Sequence, residues 1–121
     1  MINSFFVAGE PVTQGSMNVF RGRAVHRNAA KLMEWRNTIA SRYQGDIHSG
    51  PMSIQLDFIL IKPRTSVRTY PRLDIDKLIR AVLDALTGHA YKDDSQVISV
   101  IATKAFGPTA GVKISLREES T

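Results

Sequence analysis

The chain has 121 residues, 43% of them hydrophobic and 22% charged, with a formal net charge of +5 at pH 7 and no cysteine. That length and mix suit one folded domain with its own core, and the missing cysteine excludes disulfides, thiolate nucleophiles and zinc sites built on sulfur. A basic balance favours polyanionic partners such as nucleic acid. The N-terminus has no basic segment followed by a long apolar run, and no stretch approaches the roughly 20 apolar residues of a bilayer-spanning helix. A cytoplasmic protein without a membrane partner is expected.

Phe5, Phe6 and Val7 suggest a first strand, stopped by Gly9 and Pro11. Residues 13–27 are polar, with Val19-Phe20 and Ala24-Val25 flanking Arg21-Gly22-Arg23, which reads as a short hairpin or loop. Asn28 is placed to cap a helix from about Ala29 to Tyr43, with Leu32, Trp35, Ile39 and Tyr43 at core-facing spacing. Gly45 ends it, and a polar turn covers 46–51. Ile54, Leu56, Phe58 and Leu60 alternate along a strand that Pro63 stops. Residues 62–72 form a loop carrying Lys62, Arg64, Arg68 and Arg72 and no acid.

The clearest helix follows: Ile75, Leu78, Ile79, Val82, Leu83 and Leu86 repeat as a buried stripe, and Gly88 is placed to stop it. Val97 to Phe106 reads as a largely buried strand, and Val112, Ile114 and Leu116 alternate along a last one beyond the turn from Gly107 to Gly111. The expected fold is α/β in the α+β sense: a single domain with a mixed β-sheet of about four strands, two helices packed on it, and a short N-terminal hairpin or loop.

Function is sought first among the acids. Asp74 and Asp76 are one residue apart. On a helix they would diverge by about 200°, whereas in an extended segment both project to one side. We therefore place Asp74 ahead of the helix and Asp76 near its N-cap. A second acidic pair, Asp93-Asp94, precedes the strand at 97–106, and the loop 88–92 is expected to bring Asp94 back beside Asp74. Three carboxylates without cysteine or paired histidine suit a hard cation, Mg²⁺ or Mn²⁺. Such an ion polarises a phosphate and generates hydroxide from bound water. An isolated D-x-D is more often cap and turn chemistry than a metal site; the second pair and the adjacent basic loop bring the two readings level.

The segment from Leu73 to Val97, LDIDKLIRAVLDALTGHAYKDDSQV, resembles the signature of the RusA family: a D-x-D-N-x-x-K opening, then D-A-L, Gly, an aromatic, D-D and Q-V. The stretch VAGEPVTQGS from Val7 to Ser16 is similar to the start of phage-type members. The resemblance implies a homodimeric endodeoxyribonuclease that resolves four-way (Holliday) DNA junctions by paired nicks. It implies Mg²⁺ held by Asp74, Asp76 and Asp94, one active centre per protomer, and 5′-phosphate and 3′-hydroxyl ends. A phage or prophage origin is in keeping with it. The chain departs from the family pattern where the Asn after the second Asp is Lys77 and the essential Lys is Arg80. Arg80 keeps a charge for the scissile phosphate but cannot donate a proton at ordinary pH.

Lys62, Arg64, Arg68, Arg72, Lys77, Arg21 and Arg23 are the expected phosphate contacts, which position DNA without reading sequence. Tyr70 either stacks on an exposed base or packs against protein. Asp84 is expected to pair with a basic residue or a partner subunit, Asp93 to serve a turn, and Trp35 to lie in the core. Cleavage of other branched DNA, or junction binding without catalysis, are the alternatives.

Overall fold

The computed structural model describes residues 2–15, 17–20, 23–26 and 29–120, with backbone alone for 17–20 and 23–26. Four strands build the main sheet: β1 (Ile2–Ala8), β4 (Met52–Leu60), β5 (Val97–Phe106) and β6 (Gly111–Glu118). Their order is β1-β6-β4-β5, antiparallel except for the parallel β4–β5 pair. The expected hairpin forms a second, two-stranded sheet, β2 (Met17–Phe20) with β3 (Arg23–His26), in which Phe20 lies opposite Arg23. Arg21 and Asn28, the expected cap of the first helix, lie outside the described residues, as does the side chain of Arg23.

Strand alternation sorts the side chains. Ile54, Leu56 and Phe58 on β4 lie level with Leu116, Ile114 and Val112 on β6, and all six are buried. Val7 and Phe5 continue this face on β1. Two helices cover it: α1 (Ala29–Arg42) packs against β1, and α2 (Ile75–Leu86) against β5 and α1. Leu32, Trp35 and Ile39 of α1 are buried as their spacing predicts, while Tyr43 is half-buried just past the helix end. On α2 the buried stripe is Leu78, Val82 and Leu86, widened by Ala81 and Ala85, with Ile79 and Leu83 half-buried. Small residues let the helix sit close to the sheet. Gly88, at φ +86, takes the left-handed turn that ends the helix segment, and its N–H donates to the Tyr91 carbonyl at 2.7 Å.

One strand differs from expectation. β5 is an edge strand, not a buried one. Val100 and Ala102 are half-buried against the core, but Ile98 and Ile101 are 64% and 61% exposed. The run is apolar on both faces, the composition of an interior strand, yet among the described residues β5 is hydrogen-bonded to β4 alone.

β4, α2 and β5 form a crossover unit, because two parallel strands cannot be joined by a tight turn. Leu60 lies level with Phe106, so the loop after β4 and the start of α2 stand beside the end of β5. α2 then runs back to the start of β5, and this fixes where each acid falls.

Candidate active site

Asp74 is the residue at the helix N-cap position, with extended backbone (φ −70°, ψ 128°), and Asp76 lies within the first turn. Asp74 thus stands ahead of the helix and Asp76 near its N-cap, as expected, but the cap position itself belongs to Asp74. Asp74 makes no side-chain cap bond; its carboxylate pairs with the Lys77 amine at 3.3 Å. The backbone carbonyl of Asp74 accepts from Leu78 N–H at 3.1 Å and starts the helix. Both carboxylates are exposed.

The segment ahead of Asp74 is held from an unexpected side. Lys104 on β5 sits at the inward register, level with Phe58, and its amine donates to the Pro71 and Leu73 carbonyls at 2.9 and 2.6 Å. A charged donor satisfying two carbonyls fixes this turn firmly. Sequence reasoning missed it; the available signal was a lone lysine at an inward position of an apolar strand.

Gln14 was missed too. Its N–H donates to the Lys77 carbonyl at 3.0 Å, and its amide to the Asp84 carboxylate. The loop after β1 is thereby pinned along the outer face of α2, and Asp84 is partnered by an amide rather than by a cation. Arg80 lies on the same face, its guanidinium 3.3 Å from where a Cβ on Gly15 would stand. Between the loop and α1 lies a cleft of about 510 Å³ whose lining includes Glu10, Thr13, Lys31, Trp35 and Arg72.

Asp93 and Asp94 stand at the other end. A 3-10 turn covers Asp94–Gln96, and Asp93 caps it by accepting from Ser95 N–H, while the Gln96 side-chain oxygen accepts from the Asp93 and Lys92 N–H groups. The Gln96 amide donates to the His48 and Gly50 carbonyls, each at 2.9 Å. Asp93 is therefore turn chemistry, and its hydrogen bonds to Ser95 hold its carboxyl below the usual carboxylate range. Tyr91, fully buried, donates to the Leu83 carbonyl at 2.7 Å. Burial raises its hydroxyl well above the usual value, and the charges of Asp94 and Asp84 add to the rise. Asp94 itself is exposed and makes none of these locking bonds.

One chain does not bring the three aspartates together. Asp74 precedes the first residue of α2 and Asp94 lies beyond its last, and twelve helical residues span about 18 Å. Among the described residues no group of three His, Asp or Glu side chains is placed to hold a metal ion. The expectation that the loop 88–92 returns Asp94 to Asp74 fails for a simple reason. The chain makes its return along β5, which starts after Asp94.

The cations of the loop 62–72 are at the Asp74 end. Lys62, Arg64, Arg68 and Arg72 are exposed, with Lys62 over the Phe106 ring and Arg68 over the Tyr70 ring. Tyr70 is 58% exposed, with Lys104 as well as Arg68 near its ring. His48 is paired with Glu118 at 3.0 Å, and His89 is exposed.

The chain is an α+β domain with two acids at the start of its crossover helix, beside an exposed basic loop. Residues 8–117 match the family described as Endodeoxyribonuclease RusA. The chain belongs to the RusA family of endodeoxyribonucleases. It is also similar to the uncharacterized protein YqaN of Bacillus subtilis (strain 168), at 28% identity over 96% of each chain.

Proposed function

We propose that the protein nicks four-way DNA junctions in symmetric pairs, using Mg²⁺ or Mn²⁺ held between two copies of the chain. Asp74 and Asp76 of one copy and Asp94 of the other would supply the oxygens. The observation that carries this reading is the separation of Asp74 from Asp94 by the length of α2, set against a donor chemistry that suits a hard cation. When bound, the ion would polarise the scissile phosphate and lower the pKa of the attacking water.

The chain's own residues have plain tasks. Lys104 fixes the turn that presents Asp74, and Gln96 fixes the turn that presents Asp94. Arg80 offers a guanidinium for a non-bridging phosphate oxygen. Lys62, Arg64, Arg68, Arg72 and Lys77 track the backbone, with Arg21 and Arg23 as further contacts. Water adds to phosphorus, the bond to the 3′ oxygen breaks, and the products are a 5′-phosphate and a 3′-hydroxyl. A two-fold dimer would match the symmetry of a four-way junction. The setting would be a bacterial cytoplasm, with a phage or prophage source.

The test is a synthetic immobile junction with Mg²⁺, beside Asp76→Asn, Asp94→Asn and an equimolar mixture of both variants. The native protein should nick, and each variant alone should not. In the mixture, a shared site leaves one centre of each mixed dimer intact, so nicking returns; sites built within one chain leave none. Tight junction binding without nicking by the native protein in either metal would replace the enzyme with a binding protein. Equal rates on forks and plain duplex would remove the junction preference.

A further inference from the structure

We propose that Tyr70 is a stacking platform for one unpaired base at the branch point of the junction, and that this contact sets where the nick falls. The role rests on the junction reading above and adds to it the group that recognises the branch. Phosphate contacts hold a four-way junction and a plain duplex alike, because both carry the same backbone. What a junction offers in addition is its centre, where strands exchange and bases can leave their stack. A protein that favours it needs a ring or an apolar group set among its cations.

The loop 62–72 has such groups at two places. Val67, 93% exposed, stands on a turn in which Ser66 N–H donates to the Pro63 carbonyl at 3.0 Å and Arg68 N–H to the Ser66 hydroxyl at 3.2 Å. Tyr70, 58% exposed, follows three residues later. Both lie among Lys62, Arg64, Arg68 and Arg72, with no acid in the loop. An exposed apolar surface in so basic a setting is matched to a partner that is a polyanion outside and aromatic within, which is the description of nucleic acid with a base turned out.

Three observations favour Tyr70 over Val67. First, its ring has a face for any base to stack on, and valine has none. Second, its backbone is anchored. Pro71, the next residue, is buried, and the Lys104 amine donates to the Pro71 and Leu73 carbonyls at 2.9 and 2.6 Å. An exposed tyrosine on fixed backbone has little but its own two torsions to order when a ligand arrives. Third, the Arg68 guanidinium and the Lys104 amine lie 5.8 and 6.0 Å from the ring centroid. That is the outer limit of cation–π contact, so a base can replace them at little cost. Arg68 is exposed and, among the described residues, in no ion pair, which leaves it for the phosphate beside the stacked base.

Tyr70 is four residues ahead of Asp74, a separation of at most about 14 Å at full extension. A base on the ring therefore belongs to a nucleotide within a few steps of any phosphate at Asp74. Lys104 holds the backbone on both sides of that interval. Tyr70 is thus a positioning residue: it registers the branch point against the carboxylates without touching the reacting atoms.

The test places 5-iododeoxyuridine, one position at a time, at the branch and in the arms of a synthetic immobile junction bound by the full chain without metal. Near-ultraviolet light joins this base to an aromatic ring stacked on it. Cross-linking should peak at branch positions and map to Tyr70, vanish in Tyr70→Ala and persist in Tyr70→Phe, which keeps the ring. By fluorescence anisotropy, Tyr70→Ala should weaken junction binding at least about five-fold. Its salt slope should be unaltered, because no charge is lost, and duplex binding should stay as it was. In Mg²⁺ the nicks of Tyr70→Ala should spread over neighbouring positions, and those of Tyr70→Phe should not. Junction binding without a Tyr70 cross-link, equal cross-linking in the arms, an equal loss on duplex, or a loss in Val67→Ala instead would each overturn the proposal. The cross-link needs no cleavage. A junction stacked on Tyr70 but never nicked would therefore remove the nuclease reading alone, and a junction nicked without that cross-link would remove the platform alone.

Discussion

At residue scale, the Asp74–Lys77 pair has the most direct chemical consequence. Lys77 stands where the family pattern has an uncharged Asn, and its amine occupies the carboxylate that the proposed cation needs. Metal binding must then displace an ammonium group. An exposed ion pair of this kind is worth about 0.2–1 kcal/mol. Lys77→Asn should accordingly lower the Mg²⁺ concentration for half-maximal nicking by a few-fold, read from a metal titration on a fixed junction. An unchanged or higher requirement would mean that Lys77 serves the substrate more than it competes with the ion. Arg80 belongs to the same face, but its geometry is different. It lies against Gly15, and among the described residues it is in no ion pair.

At the scale of elements, the end of α2 is secured by matched, part-buried donors and acceptors. Gln96 ties the 3-10 turn to the strand entry at His48 and Gly50, and Tyr91 ties the following loop to Leu83. Tyr91→Phe removes one buried hydrogen bond and should cost about 0.5–1.5 kcal/mol in chemical denaturation. The Tyr91 hydroxyl is raised in the folded state, so the unfolded chain loses that proton first. Its contribution is complete below pH 10, the ordinary tyrosine value, and declines as pH rises beyond it. Native protein should therefore lose more stability than Tyr91→Phe between pH 10 and higher values; parallel curves would show that the hydroxyl is not titrating differently in the two states.

Much of this level was readable in advance, for identifiable reasons. The stripe of Leu78, Val82 and Leu86 and the alternation of Ile54, Leu56 and Phe58 are periodic, and period reports which side is buried. Trp35 followed from the same logic. The position of β5 was not readable, because a continuous apolar run looks alike whether the sheet or a second molecule covers it. The separation of Asp74 from Asp94 was hidden for a related reason: it depends on which element makes the return journey, and local spacing is silent on that. Gln14 and Lys104 act through contacts more than 30 residues distant, which no local pattern encodes.

For the whole molecule, the charge is unevenly laid out. The loop 62–72 holds Lys62, Arg64, Arg68 and Arg72 at the Asp74 end of the sheet, all exposed. If they neutralise phosphates, junction affinity falls steeply with salt, and each cation removed should lessen the slope of log affinity against log salt by about 0.9. Arg64→Ala combined with Arg68→Ala should thus lessen it by about twice that amount, measured by fluorescence anisotropy across a salt series. An unaltered slope would return this loop to solvent.

The strand order carries a last consequence, for how the chain reaches its fold. β6 comes last in the sequence yet lies inside the sheet, between β1 and β4. Until it arrives, the first strand has no partner and the longest alternating strand lacks its antiparallel neighbour. The core face of the sheet is consequently completed by the final piece added, and a fragment ending before Gly111 would leave β1 without a ladder partner and β4 paired with β5 alone.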